Sequence, residues 1–255
     1  MTTREESETD TKGYVNSTFI SVQGEGAQVG QLHLFVRMSR CNLRCEFCDT
    51  PEALNTNDKA MLFVDDKVRT VPNPMTAGEL ADVCKHMMEE TTVTGITVTG
   101  GEPLVQPLFI SRFLDLLGED RPPAVLETNS TLVQSLETVL DRFEAVSADF
   151  KLAETGVPGY DEAVALRFIE LAAASTETWV KVPFDENVTE ERILDVVGRL
   201  KEVAPDSPVI LQPIVTVGSR SELSGKAMLN MLVVASRVGT DVRLIPQIHK
   251  FIQVQ

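Results

Sequence analysis

A rhythm constrains this chain more than any other feature of its sequence: short apolar runs alternate with stretches of helical periodicity. The runs "TFISVQ" (18–23), "LHLFVRM" (32–38), "ITVTG" (96–100), "AVLETN" (124–129), "AVSADFKL" (145–152), "TWVKVPF" (178–184), "PVILQPI" (208–214) and "DVRLIPQ" (241–247) read as strands. Several are apolar without interruption, as strands covered on both faces should be. Helical spacing predicts helices over 76–90, 105–118, 132–141, 161–174, 189–203 and 221–238. The first opens on Thr76 with Glu79 three residues later, a capping box. "MLFVDDKVRTVP" (61–72) reads as a small inserted hairpin. Such alternation implies an α/β fold, a mainly parallel sheet with helices outside, closed or partly closed into a (β/α) barrel. In such barrels function gathers at the C-terminal ends of the strands. The distinctive polar residues lie there: a cysteine loop after 32–38, "TGGEP" after 96–100, "ETN" (127–129), "DFK" (149–151), "QPI" (212–214) and "QIHK" (247–250).

The chain has 255 residues, 43% of them hydrophobic, enough for one sizeable core. The opening residues are polar and acidic, so 1–13 read as a disordered tail and 14–255 as a single catalytic domain. No apolar stretch approaches the roughly 20 residues of a membrane span, and no signal-peptide core precedes the first strand, so the expected location is the cytoplasm. A net charge of −15 argues against direct binding to nucleic acid. It fits either a salty cytoplasm, where screening weakens self-repulsion, or ordinary acidic cytosolic composition.

Three of the four cysteines, Cys41, Cys45 and Cys48, fall within "SRCNLRCEFCDT" (39–50) at a C-x3-C-x2-C spacing. Four cysteines in a chain this long are not a disulfide framework, and thiolates this dense suit zinc or an iron–sulfur cluster. Cys84 sits mid-helix on an apolar stripe and reads as core. His33 is on a strand too near the loop to reach the same metal, which leaves His86 and His249 as possible fourth ligands of a Cys3His zinc site. A [4Fe–4S] cluster usually takes four cysteines. With three, one iron stays open to a small molecule.

C-x3-C-x2-C with an aromatic before the last cysteine, Phe47, resembles the signature of the radical S-adenosylmethionine (SAM) enzymes, and "TGGEP" (99–103) resembles their glycine-rich motif. With "SVQGEG" (21–26), Arg37 and the tail "PQIHKF", the likeness narrows to the 7-carboxy-7-deazaguanine synthases and runs from about Phe19 to the last residue. That resemblance implies a partial (β/α) barrel of the radical SAM type and a homodimer. The implied cofactors are a [4Fe–4S] cluster, SAM and Mg2+, and a one-electron donor such as a flavodoxin or ferredoxin would serve the cluster. The implied reaction is a radical ring contraction of 6-carboxy-5,6,7,8-tetrahydropterin to 7-carboxy-7-deazaguanine with loss of ammonia, feeding the tRNA nucleosides queuosine or archaeosine. In it, the SAM-derived 5′-deoxyadenosyl radical takes a hydrogen from the pterin, and SAM is then rebuilt.

Residue by residue, the resemblance assigns Cys41, Cys45 and Cys48 to the cluster and Thr50 to magnesium. Phe47, Asp49, Gly101, Glu102, Asp149, Phe150, Lys151, Lys181 and Gln212 fall to SAM. Val22, Gln23, Gly24, Glu25, Arg37, Thr99, His249 and the terminal carboxylate of Gln255 fall to the substrate. The residue types suit these roles: an amide can read a pterin edge, and a guanidinium can grip a carboxylate with two bonds. Two other readings stay open on the residues: a glycyl-radical-enzyme activating enzyme, which shares the cysteine spacing but acts on a partner protein, and a zinc-stabilised, non-catalytic binding protein.

Overall fold

The computed structural model describes residues 11–64, 67–214, 223–239 and 241–254. The order is β1 (Lys12–Gly13), β2 (Val15–Val22), β3 (Leu32–Met38), β4 (Lys59–Val64), β5 (Lys67–Pro72), β6 (Met75–Thr76), α1 (Ala77–Glu90), β7 (Gly95–Gly100), α2 (Pro107–Leu117), β8 (Ala124–Thr128), α3 (Val133–Glu137), β9 (Ala145–Asp149), α4 (Glu162–Ala173), β10 (Glu177–Phe184), α5 (Glu190–Val203), β11 (Val209–Pro213), α6 (Gly225–Ala235), β12 (Val242–Leu244) and α7 (Ile248–Ile252).

Ten strands form one sheet in the order β12-β11-β10-β9-β8-β7-β3-β2-β4-β5. From β3 to β12 every neighbouring pair is parallel. The edges, β12 and β5, do not pair, so the barrel is partial. β2 runs antiparallel to β3, and β4–β5 is the expected hairpin. The capping box at Thr76 and Glu79 forms as read.

Two details differ from the sequence reading. Residues 12–13, counted with the tail, form β1 and pair with β6. The helix expected over 132–141 stops at Glu137, because the Thr138 hydroxyl donates to Ser135 O at 2.7 Å and takes a carbonyl the next turn would need.

The pleat sorts each strand's residues onto two faces. Ile96 and Val98 of β7, Val146 and Ala148 of β9, and Val180, Val182 and Phe184 of β10 join the outer core under the helices. Cys84 lies in that core with no exposure, and burial pushes its thiol well up. On the inner face a small apolar layer of Val125, Ala145, Trp179 and Ile210 plugs the barrel. Two residues further along three of these strands stand Glu127, Lys181 and Gln212, facing a cleft at the C-terminal strand ends. The same parity sets Thr99, Arg37 and Asp149 on that face.

Candidate active site

The cleft opens to solvent and holds a cavity of about 190 Å³. Its rim is the loop after β3. Cys41, Cys45 and Cys48 are free thiols there, half-buried on one wall. Burial pushes all three thiols up. "TGGEP" packs beneath this loop: Gly101 N donates to Met38 O at 3.0 Å and Glu102 N to Arg40 O at 2.8 Å. A Cβ on Gly101 would stand 2.3 Å from Arg40 O, so only glycine allows this approach. The Glu102 carboxylate is fully buried and accepts from Leu104 N, Thr128 Oγ1 and Asn129 N at 3.0, 2.8 and 2.7 Å. Burial nevertheless raises its pKa to about 7, against the pull of those donors.

A chain of charges crosses the floor. Lys181 Nζ lies 2.7 Å from Glu25 Oε2 and 3.2 Å from Asp149 Oδ1, and Lys151 Nζ lies 2.8 Å from Asp149 Oδ2. Burial pushes the Asp149 carboxyl up, but Lys151 and Lys181 outweigh it and the net shift is down. Glu25 likewise ends below its ordinary value, with Lys181 overcoming burial. Burial lowers Lys181, yet Asp149, Glu25 and Glu127 together hold it well above the usual lysine range.

The C-terminal segment closes one side. Gln247 Nε2 donates to Glu25 Oε1 at 2.6 Å and to Asp49 Oδ2 at 2.9 Å. Lys250 Nζ stands 3.6 Å from Asp49. His249 lies against Gly24, where a Cβ would meet its Nδ1 at 2.3 Å. Burial lowers the His249 pKa. Glu25, Asp49 and His249 place ligand atoms within 4.8 Å of one another and could hold a cation, although Lys181 and Lys250 already balance the carboxylates.

Most of the expected site residues line this one cleft: Val22, Gln23, Gly24, Glu25, Arg37, Phe47, Asp49, Thr50, Thr99, Gly101, Glu102, Asp149, Lys151, Lys181, Gln212 and His249. Phe150 does not. It points the opposite way from Asp149 and Lys151, into the outer core, edge-on to Tyr160. Gln255 lies outside the described residues. Gln23 is committed elsewhere than to a ligand: its Nε2 donates to Glu127 Oε1 at 3.0 Å and Thr97 Oγ1 at 3.3 Å, and its Oε1 accepts from Glu25 N at 3.1 Å. It therefore positions Glu127, which the sequence reading passed over although "ETN" marked the strand end. Burial pushes the Glu127 carboxyl up. Arg37 has no acidic partner among the described residues, and its guanidinium stacks 5.0 Å from the Phe19 ring. The Gln212 carbonyl oxygen is buried and has no hydrogen-bond partner among the described residues.

The Radical SAM superfamily profile matches residues 35–214. A 7-carboxy-7-deazaguanine synthase from Methanopyrus kandleri is 32% identical over 93% of this chain and 92% of its own length. This chain belongs to the 7-carboxy-7-deazaguanine synthase family of radical SAM enzymes. A second synthase, from Geobacter sulfurreducens, is 28% identical over 93% of this chain and 96% of the relative. The crystal structure of QueE from Escherichia coli superposes with a TM-score of 0.60 at 20% identity, covering 98% of this chain and 100% of that one, and so shares the fold. Radical SAM membership brings a [4Fe–4S] cluster and SAM. The donor set fits: three thiols on one wall, with the fourth cysteine sealed in the outer core.

Proposed function

We propose that this radical SAM protein converts 6-carboxy-5,6,7,8-tetrahydropterin to 7-carboxy-7-deazaguanine, with loss of ammonia, in the biosynthesis of 7-deazapurine tRNA nucleosides. One observation carries the reading: the cysteine wall and Arg37, a cation with no acidic partner among the described residues, open onto the same cleft, whose floor holds the half-buried acid Glu127. Arg37 offers two parallel N–H bonds to the substrate carboxylate. Glu127, fixed by Gln23, accepts N–H bonds from the pyrimidine edge of the pterin, whose donors suit a carboxylate. Thr99, at the end of β7, and Val22 border the same volume.

Cys41, Cys45 and Cys48 would hold the cluster, which when bound supplies one electron for reductive cleavage of SAM. Phe47, Asp149 and Lys151 border the cofactor side: Lys151 Nζ stands 5.4 Å from the Phe47 ring centre and pairs with Asp149. Gly101 brings the backbone after β7 beneath the cysteine loop, and Gln212 offers a ligand N–H its carbonyl, which has no partner among the described residues. Thr50 donates to Asp49 Oδ1 at 3.1 Å, which supports a magnesium ion on its hydroxyl. Gln247 and His249 cover the cleft and keep water from the reacting atoms.

A homodimer is the assembly that the family resemblance implies. No helix among the described residues is long and apolar enough to cross a membrane. A one-electron donor such as a flavodoxin or ferredoxin would serve the cluster. The test is anaerobic turnover of the reconstituted protein with reductant, SAM, Mg2+ and the tetrahydropterin. The deazaguanine is expected by mass spectrometry, and its absence from a protein with a full cluster overturns the assignment.

A further inference from the structure

Three side chains beside Cys41 form a closed ring of hydrogen bonds. Asn129 Nδ2 donates to Asn42 Oδ1 at 2.9 Å. Asn42 Nδ2 donates to Thr131 Oγ1 at 2.8 Å. The Thr131 hydroxyl donates to Asn129 Oδ1 at 2.5 Å. Each member both gives and receives, so the ring runs in one direction and fixes both amides. The Thr131 backbone N–H adds a second donor to Asn129 Oδ1 at 3.2 Å. The hydroxyl could turn to accept, but the backbone N–H cannot, so a flip of the Asn129 amide would set its NH2 against that donor.

The orientation has a consequence at sulfur. The same Nδ2 lies 3.9 Å from Cys41 Sγ, and Leu43 N lies 3.4 Å from it. Asn129 is 5% exposed and sits at the end of β8, anchored by its own N–H to Glu102 Oε2 at 2.7 Å. The next residue, Ser130, has φ 63°, a conformation that costs a residue with a Cβ about 1 kcal/mol or more. That turn carries the chain back from β8 to Thr131, the third member of the ring.

We infer that Asn129 is a positioning residue for the cluster: the Asn42–Asn129–Thr131 ring locks the cysteine loop to the end of β8 and points an amide N–H at the Cys41 sulfur, raising the cluster's reduction potential. This rests on the reading that Cys41 ligates the cluster. Reduction adds negative charge that spreads onto the sulfurs, and a donor N–H favours that state. The ring is the lever because it decides which end of the amide faces sulfur.

The test uses the reconstituted protein and its Asn129→Leu, Asn129→Asp, Asn42→Ala and Thr131→Val variants, with the midpoint potential read by electron paramagnetic resonance in a redox titration. Iron retention under a chelator is measured alongside. The potential should fall in the order wild type, Thr131→Val, Asn129→Leu, Asn129→Asp, the last placing a carboxylate where a donor stood. Asn42→Ala and Thr131→Val should also lose iron several-fold faster than wild type. Thr131 is half-buried and Asn42 exposed, so those two variants keep the test open should Asn129 variants misfold. Unchanged potentials with faster iron loss would reduce the ring to a structural clamp and overturn the inference while leaving the cluster assignment standing. A wild-type protein that assembles no cluster would overturn both.

Discussion

The two faces of the sheet bury residues under different rules. Outside, between strands and helices, the interior is almost wholly apolar: Phe109, Phe113, Phe150, Phe168 and Phe184 are each 2% exposed or less. Inside, above the Trp179 layer, the barrel buries Lys181 and half-buries Glu127, Asp149 and Glu25 around it in one linked group. The outer face gains stability from area removed from water. The inner face takes charges out of water and recovers the cost only through pairing. One strand can serve both because its pleat alternates. β10 gives Val180 and Val182 to the outer core and Lys181 to the cleft.

Breaking each face separately sharpens that contrast. Lys181→Met should give the largest loss, because it removes the buried cation that pairs with half-buried Glu25 and Asp149 and sets an apolar chain beside them. Denaturation should show about 3–5 kcal/mol of destabilisation, with activity lost even in molecules that remain folded. Phe168→Ala, in the outer core, should cost a similar 3–5 kcal/mol by leaving a cavity. There the kinetic constants per folded molecule should stay close to wild type, and a large fall in kcat would blur the division between faces.

Glu102 lies between the two regions and adds a pH dependence. Its carboxyl rises from an ordinary 4.5 to about 7 in the folded chain. Between those values the folded state keeps a proton that the unfolded state has released. Stability from this group is therefore present below pH 4.5 and is lost as pH rises through about 7, about 3 kcal/mol in all. Denaturation at several pH values should show this decline in wild type and a flatter profile in Glu102→Gln. Parallel profiles would mean that the three donors hold the carboxylate ionised throughout.

The smallest expected effect falls on the substrate. Glu127→Gln should raise KM for the tetrahydropterin by roughly ten- to a hundredfold, about 1.4–2.7 kcal/mol of binding. SAM affinity should hold, and an unchanged KM would remove Glu127 from the substrate-reading role.

Much of this was legible in the sequence because strand periodicity and motif order are local. The parallel sheet, the cysteine loop and the cluster of polar strand ends followed from spacing alone. Phe150 was misplaced because "DFK" was read as a unit, whereas the pleat sends its middle residue to the opposite face. Glu127 could have been found by the same parity, two residues past the apolar Val125. Gln23 was read as a ligand contact, since nothing local shows that Glu127 and Thr97, 104 and 74 residues away, occupy its donors. The bond from Gln247 to Glu25 spans 222 residues and depends on the barrel bringing the C-terminal segment back to the first loop.

Three cysteines on the loop after β3 line the cleft while Cys84 is sealed in the outer core, and that arrangement makes this barrel an enzyme. The most direct measurement compares anaerobically reconstituted wild type with Cys41→Ala, Cys45→Ala and Cys48→Ala for iron content, circular dichroism and deazaguanine formation. About four irons per chain and product are predicted for wild type. The variants should keep the wild-type spectrum in the far ultraviolet while lacking both a complete cluster and product. Product from any of the three variants would contradict the account.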